Sequence, residues 1–111
     1  MAETASKIAD VLERAADLIE PEGKWIKGEF AADAEGWPVG LGYEPNACCW
    51  CTIGALEKVT GASAHHGPVH QFLRGVIGRS LADWNDAPER TQAEVVAKLR
   101  EAAAIAREQG L

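Results

Sequence analysis

The chain is 111 residues long with a formal net charge of −6, a length that fits one domain over 1–111, and no Ser/Gly/Pro-rich linker divides it. Alanine makes up much of the 47% hydrophobic share, so one modest core is expected, with four tryptophans supplying much of its area. Residues 1–22 carry six acids against two bases and 48–82 one acid against three bases, with no Lys/Arg stripe to neutralise phosphates, which disfavours direct nucleic-acid binding.

The predicted fold is mainly α. Ile8, Val11, Leu12, Ala15, Leu18 and Ile19 recur at three/four spacing and predict a helix over 4–20, stopped by Pro21 and Gly23. Residues 24–40 change character. Trp25, Ile26 and Phe30 precede Asp33-Ala34-Glu35-Gly36 and Trp37-Pro38-Val39, a pattern that suits a small β-hairpin and nearly as well an irregular insertion.

Gly40 to Asn46 read as a loop, with Asn46 as N-cap of a second helix over 47–60 that closes at Gly61. Gly54 inside that helix lowers its propensity, so it is expected to admit the close approach of another element. Pro68 opens a third helix, 68–82, along the stripe Val69, Phe72, Leu73, Val76, Ile77 and Leu81. Trp84-Asn85-Asp86 reads as a loop, with Trp84 as a buried anchor and the two polar residues bonding backbone amides. Thr91-Gln92-Ala93-Glu94 has the form of a capping box and starts a fourth helix over 91–108, ended by Gly110.

All three cysteines lie at 48, 49 and 51. An odd count with two adjacent does not suit a disulfide framework, and no secretory signal is expected from Met1-Ala2-Glu3-Thr4, so a reducing cytoplasm is the expected compartment. The uncharged run around Cys51 is too short to span a bilayer.

Three chemistries compete for the cysteines. Cys48-x-x-Cys51 followed by His65 and His70 matches the spacing of a two-Cys, two-His zinc site, although the cysteines fall on an apolar predicted helix rather than a knuckle. Cys48 and Cys51 at a helix start also suit thiol redox exchange, but no parallel strand precedes them. Cys51, His70 and Asn85 follow the Cys…His…Asn order of a cysteine-dependent hydrolase or transferase. Against all three stands a packing role, because free cysteine is among the most buried residue types. On that reading Trp25, Trp50, Cys51, Gly54, Trp84, Asn85, Asp86, Thr91 and Glu94 are structural, and no cofactor is required.

Several pieces form an ordered set: Gly23-x-Trp25-x-x-Gly28, Asp33-x-x-Gly36, Cys51-x-x-Gly54-Ala55-Leu56, Trp84-Asn85-Asp86 and Thr91-x-x-Glu94-Val95. In these the chain resembles a family of small proteins of unknown function from bacteria and their phages. The resemblance implies a single intracellular domain and carries over no activity. It centres on Cys51 rather than Cys48 or Cys49, which weakens the zinc reading. By analogy, the phage association implies an accessory or inhibitor protein that binds a host protein. The leading expectation is therefore a small acidic, non-enzymatic module that binds another protein or itself.

Overall fold

The computed structural model describes residues 7–63 and 67–111. Helix α1 (Ile8–Ile19) buries Ala9, Val11, Leu12, Ala15, Ala16 and Ile19, the face that three/four spacing defines. It packs most extensively on the last helix, α5 (Gln92–Glu108), and next on α2 (Thr52–Thr60). α5 buries Val95, Val96, Leu99, Ala102, Ala103 and Ala106. Alanines on both helices let the backbones approach closely, and each fully buried Leu or Ile between them contributes roughly 1.5–3 kcal/mol.

Three two-residue strands lie between α1 and α2 in chain order: β1 (Ala31–Ala32), β2 (Pro38–Val39) and β3 (Cys49–Trp50). β1 is central and antiparallel to both neighbours, with Ala31 opposite Val39 and Trp50. On its other side β3 meets residues 24–26. Trp50 donates its amide to the Lys24 carbonyl and accepts from Ile26, and Trp25 and Trp50 form a parallel bridge. Thus the insertion does contain a hairpin, and a third strand joins it.

That third strand corrects the expected helix over 47–60. The Cys48 amide bonds the Ala32 carbonyl and the Cys51 amide that of Phe30, so residues 48–51 are committed to β1 before any helix starts. A two-residue strand is too short to show alternation, which is why its apolar spacing passes for helix. The N-cap of α2 is Cys51 and not Asn46. Gly61, in the left-handed region, closes the helix as expected.

The expected helix over 68–82 is two helices, α3 (Pro68–Ile77) and α4 (Leu81–Asp86). Gly78 adopts φ +87 and ends α3 by returning its amide to the Arg74 carbonyl. Ser80 then caps α4 through the Asp83 amide. The apolar stripe runs across the break because both helices turn the same side to the core. Trp84, Asn85 and Asp86, expected in a loop, belong to α4. Among the described residues there are five helices where about four were expected. Of the expected span 4–20, residues 4–6 lie outside the described residues. α5 begins with the expected capping box: the Glu94 amide donates to Thr91 Oγ1 at 3.2 Å and the Thr91 amide to Glu94 Oε1 at 3.0 Å. No helix of the described residues is long and apolar enough to cross a membrane.

Candidate functional site

The expected chemistry centred on the cysteines, and the side chain that organises their surroundings is Asn85. It is 1% exposed, and its carboxamide joins three separate stretches of chain. Oδ1 accepts from Trp25 Nε1 at 2.7 Å, from the Thr52 amide at 3.0 Å and from Thr52 Oγ1 at 2.7 Å. Nδ2 donates to the Ile26 carbonyl at 3.1 Å and to Asp86 Oδ1 at 3.0 Å. The carboxamide thereby spends both N–H groups and every acceptor direction on the protein itself.

Asp86 extends the network by accepting the Gly28 amide at 3.0 Å. Gly28 turns there with φ +85, a conformation that favours glycine. Lys27 donates to the Ala87 and Pro88 carbonyls at 2.7 and 3.3 Å, and its ammonium lies 5.6 Å from the Trp25 ring centre. Arg90 donates from Nε to the Trp84 carbonyl at 2.8 Å and stacks 4.2 Å from that ring. Residues 25–28 are therefore fastened to the end of α4 by polar contacts on several sides.

Cys51 sits where the strand becomes the helix. Its sulfur accepts the Gly54 amide at 3.4 Å, a thiol in the place that Ser, Thr, Asp or Asn usually fills. Burial raises its pKa from 9.0 to about 11, and the bonds from the Gly54 and Ile53 amides offset only part of that; Asp86 and Glu57 push it further up. With a pKa near 11, about one molecule in ten thousand holds the thiolate at pH 7. A nucleophilic cysteine needs the opposite shift.

Cys48 and Cys49 are half-buried on successive positions of an extended segment, so their side chains leave on opposite faces. Cys48 Sγ contacts the Asn46 carbonyl at 3.7 Å and Cys49 Sγ that of Ala32 at 3.8 Å. Burial also raises the Cys49 pKa. Of the zinc candidates, Cys48, Cys51 and His70 are described, while His65 and its neighbour His66 lie outside the described residues. Among the described residues no three His, Cys, Asp or Glu side chains converge where they could hold a metal ion.

A pocket of about 140 Å³ opens beside Cys51, lined by Gly28, Glu29, Phe30, Cys51, Ile53, Ala82, Asn85 and Asp86. Two members of the Cys51, His70, Asn85 set meet in it. His70 stands on α3 and is not among its lining residues.

Close backbone packing fixes this region. Gly54 takes the role expected of it: a Cβ there would overlap the Phe30 carbonyl. One layer further out, a Cβ on Gly42 would overlap the carbonyl of Gly54. Gly42 also donates its amide to buried Glu57 Oε1 at 2.7 Å and accepts Trp50 Nε1 at 2.8 Å. Neither Gly42 nor Glu57 stands out in the sequence. Gly42 falls in a stretch with other glycines, and a carboxylate on a predicted helix reads as solvated.

The remaining conspicuous side chain is Trp37, 70% exposed at the end of the β1–β2 turn. Asp33 shapes that turn. Its Oδ1 accepts the amides of Glu35 at 3.0 Å and Trp37 at 2.9 Å, and its backbone pairs with Gly36 and Trp37.

Comparison with known proteins gives one match: a model described as a family of unknown function, DUF6197, covers residues 3–105. None of the curated proteins and none of the solved structures matches the chain. With the family's model spanning nearly its whole length, the chain belongs to DUF6197, a family of unknown function.

Proposed function

We propose that the chain is a non-enzymatic protein-interaction domain that engages its partner through the hairpin carrying Trp37. The observation that carries this reading is a large aromatic side chain held 70% exposed on a turn whose polar groups are paired locally. Tryptophan is enriched at interface hot spots, and a pre-formed turn loses little entropy on binding. The polar residues that looked chemical support the same reading. Asn85 is spent on structure, and Cys51 is a buried, protonated cap. Three free thiols suit a reducing cytoplasm. The resemblance to bacterial and phage proteins supports an accessory or inhibitory role toward a host protein.

The test compares the chain with its Trp37→Ala variant. Partners captured from bacterial extract by the wild type are purified, and the affinity of each is measured against both forms. A hot spot gives a loss of about 30-fold or more on truncation, with the melting temperature unchanged. Undiminished affinity in Trp37→Ala for every partner overturns the hairpin's role. Turnover lost in Cys51→Ser overturns the non-enzymatic reading.

The shared pocket of Cys51 and Asn85 favours a cysteine-dependent hydrolase or transferase as the second reading. It requires selective labelling of Cys51 in the native protein by a thiol-directed probe at neutral pH. Labelling that appears only on denaturation rejects it. A zinc-stabilised domain using Cys48, Cys51, His65 and His70 is tested by elemental analysis of untagged protein; a stoichiometry near zero rejects it.

A further inference from the structure

The pocket beside Cys51 has a composition of its own. Phe30, Ile53 and Ala82 supply apolar walls, while Glu29 and Asp86 supply two acids with no base among the lining residues. The nearest sequence neighbour of opposite sign, Lys27, is engaged by the Ala87 and Pro88 carbonyls. At the inner side stands Cys51, a buried residue whose sulfur accepts one long bond from the Gly54 amide.

A volume of about 140 Å³ suits one side chain, since cavities of about 150 Å³ accommodate a benzene ring. An anion would meet two carboxylates. An all-carbon occupant would bury polar atoms without compensation. The complementary group is a cation on a short aliphatic stem, its N–H groups toward the carboxylates and sulfur and its methylenes along Phe30 and Ile53.

We propose that this pocket receives a lysine or arginine side chain of the protein partner. The proposal rests on the interaction reading above and adds the chemistry of the partner. It also accords with the charge of −6, which favours approach of a basic protein.

The test is a titration of the full ¹⁵N-labelled chain, followed by amide shifts, with the Nα-acetyl, N-methylamide forms of lysine, arginine and norleucine, and separately with 1,5-diaminopentane. Saturable shifts at Gly28, Glu29, Ile53 and Ala82 are expected with lysine or arginine. Norleucine, which keeps lysine's four-carbon stem without the ammonium, is expected to bind about fivefold more weakly, and Glu29→Gln to weaken the cation about threefold. Ala82→Leu fills the pocket without changing its charge and abolishes the shifts.

Absence of shifts at these amides, or equal binding of norleucine, overturns the proposal. Binding of the free diamine tenfold tighter than the lysine derivative also overturns it, by assigning the pocket to a small amine. Trp37→Ala leaves this titration unchanged, so a pocket that stays empty while partner binding still depends on Trp37 removes this proposal and leaves the interaction reading standing.

Discussion

The Asn85 carboxamide oxygen accepts both the amide and the hydroxyl of Thr52, at 3.0 and 2.7 Å. Helix α2 thus begins under two caps. One is local, from the Cys51 sulfur, and the other arrives from α4, 33 residues downstream. Helix N-termini carry unpaired amides, and a buried one needs such partners.

Removing the distant cap is expected to be costly. Asn85→Ala leaves Trp25 Nε1, the Thr52 amide and the Thr52 hydroxyl without their acceptor, each cut off from water to differing degree. At about 1–3 kcal/mol for each group fully buried, and with relaxation recovering part, the loss should be about 3–5 kcal/mol. Urea denaturation measures it, and a loss below about 1 kcal/mol would show that the network is incidental.

Two helical glycines should respond to alanine with opposite signs. Gly75 on α3 has nothing within 4 Å of an added Cβ, so Gly75→Ala should gain about 0.5–1 kcal/mol from helix propensity. At Gly54 the same propensity gain is overwhelmed by collision with the Phe30 backbone, and Gly54→Ala should lose at least about 2 kcal/mol. Thermal melts of both variants decide the matter; equal shifts in one direction would contradict the packing described.

Stability should fall with rising pH on account of Cys51. An unfolded thiol ionises near 9.0 and the folded one near 11, so between these values the folded state holds the extra proton. Its contribution is complete below pH 9 and lost progressively up to pH 11, by about 2–3 kcal/mol. Tyrosine and lysine titrate in the same range, so the quantity to measure is the difference between wild type and Cys51→Ser. A serine hydroxyl keeps the cap and does not ionise there. A pH-independent difference would mean that the thiol is not held protonated by burial.

Arg100 ties α5 to α1 by bonding Glu13 Oε1 at 2.6 Å, Asp17 Oδ1 at 3.1 Å and Glu20 Oε1 at 2.9 Å. These acids raise its already high pKa. The Arg100 side chain is 35% exposed, so screening limits the effect. Arg100→Ala should cost about 1 kcal/mol at low salt and visibly less in 1 M NaCl. A cost that did not shrink with salt would assign the effect to lost packing of the side-chain stem.

How much was legible follows from what each element depends on. α1 and the capped start of α5 were readable because amphipathic spacing and a capping box are local signals. Gly54 was readable too, since glycine inside a helix asks for an explanation. The strand at Cys49–Trp50 was hidden because its pairing partners lie at residues 24–26 and 31–32. The break at Gly78 was hidden under an apolar stripe that continues through it. At the candidate site, Cys51 and Asn85 were both singled out, and the structure places both at one pocket. Asp86 was singled out with them, but Glu29 and Phe30, which complete the lining, come from a distant stretch that no spacing rule connects to 51 or 85. Trp37 was read as following the turn, in a hairpin or as an anchor of an irregular insertion, but its exposure is a tertiary property.

The Trp25–Asn85–Thr52 junction also bears on the order of assembly during synthesis. A nascent chain that has emerged only as far as α3 has residues 25 and 52 in hand but not the amide group that unites them. Until α4 leaves the ribosome, α2 starts under its local Cys51 cap alone, and the Thr52 amide and hydroxyl are left to solvent. A chain that stops before Asn85 therefore lacks the group that fastens residue 25 to residue 52.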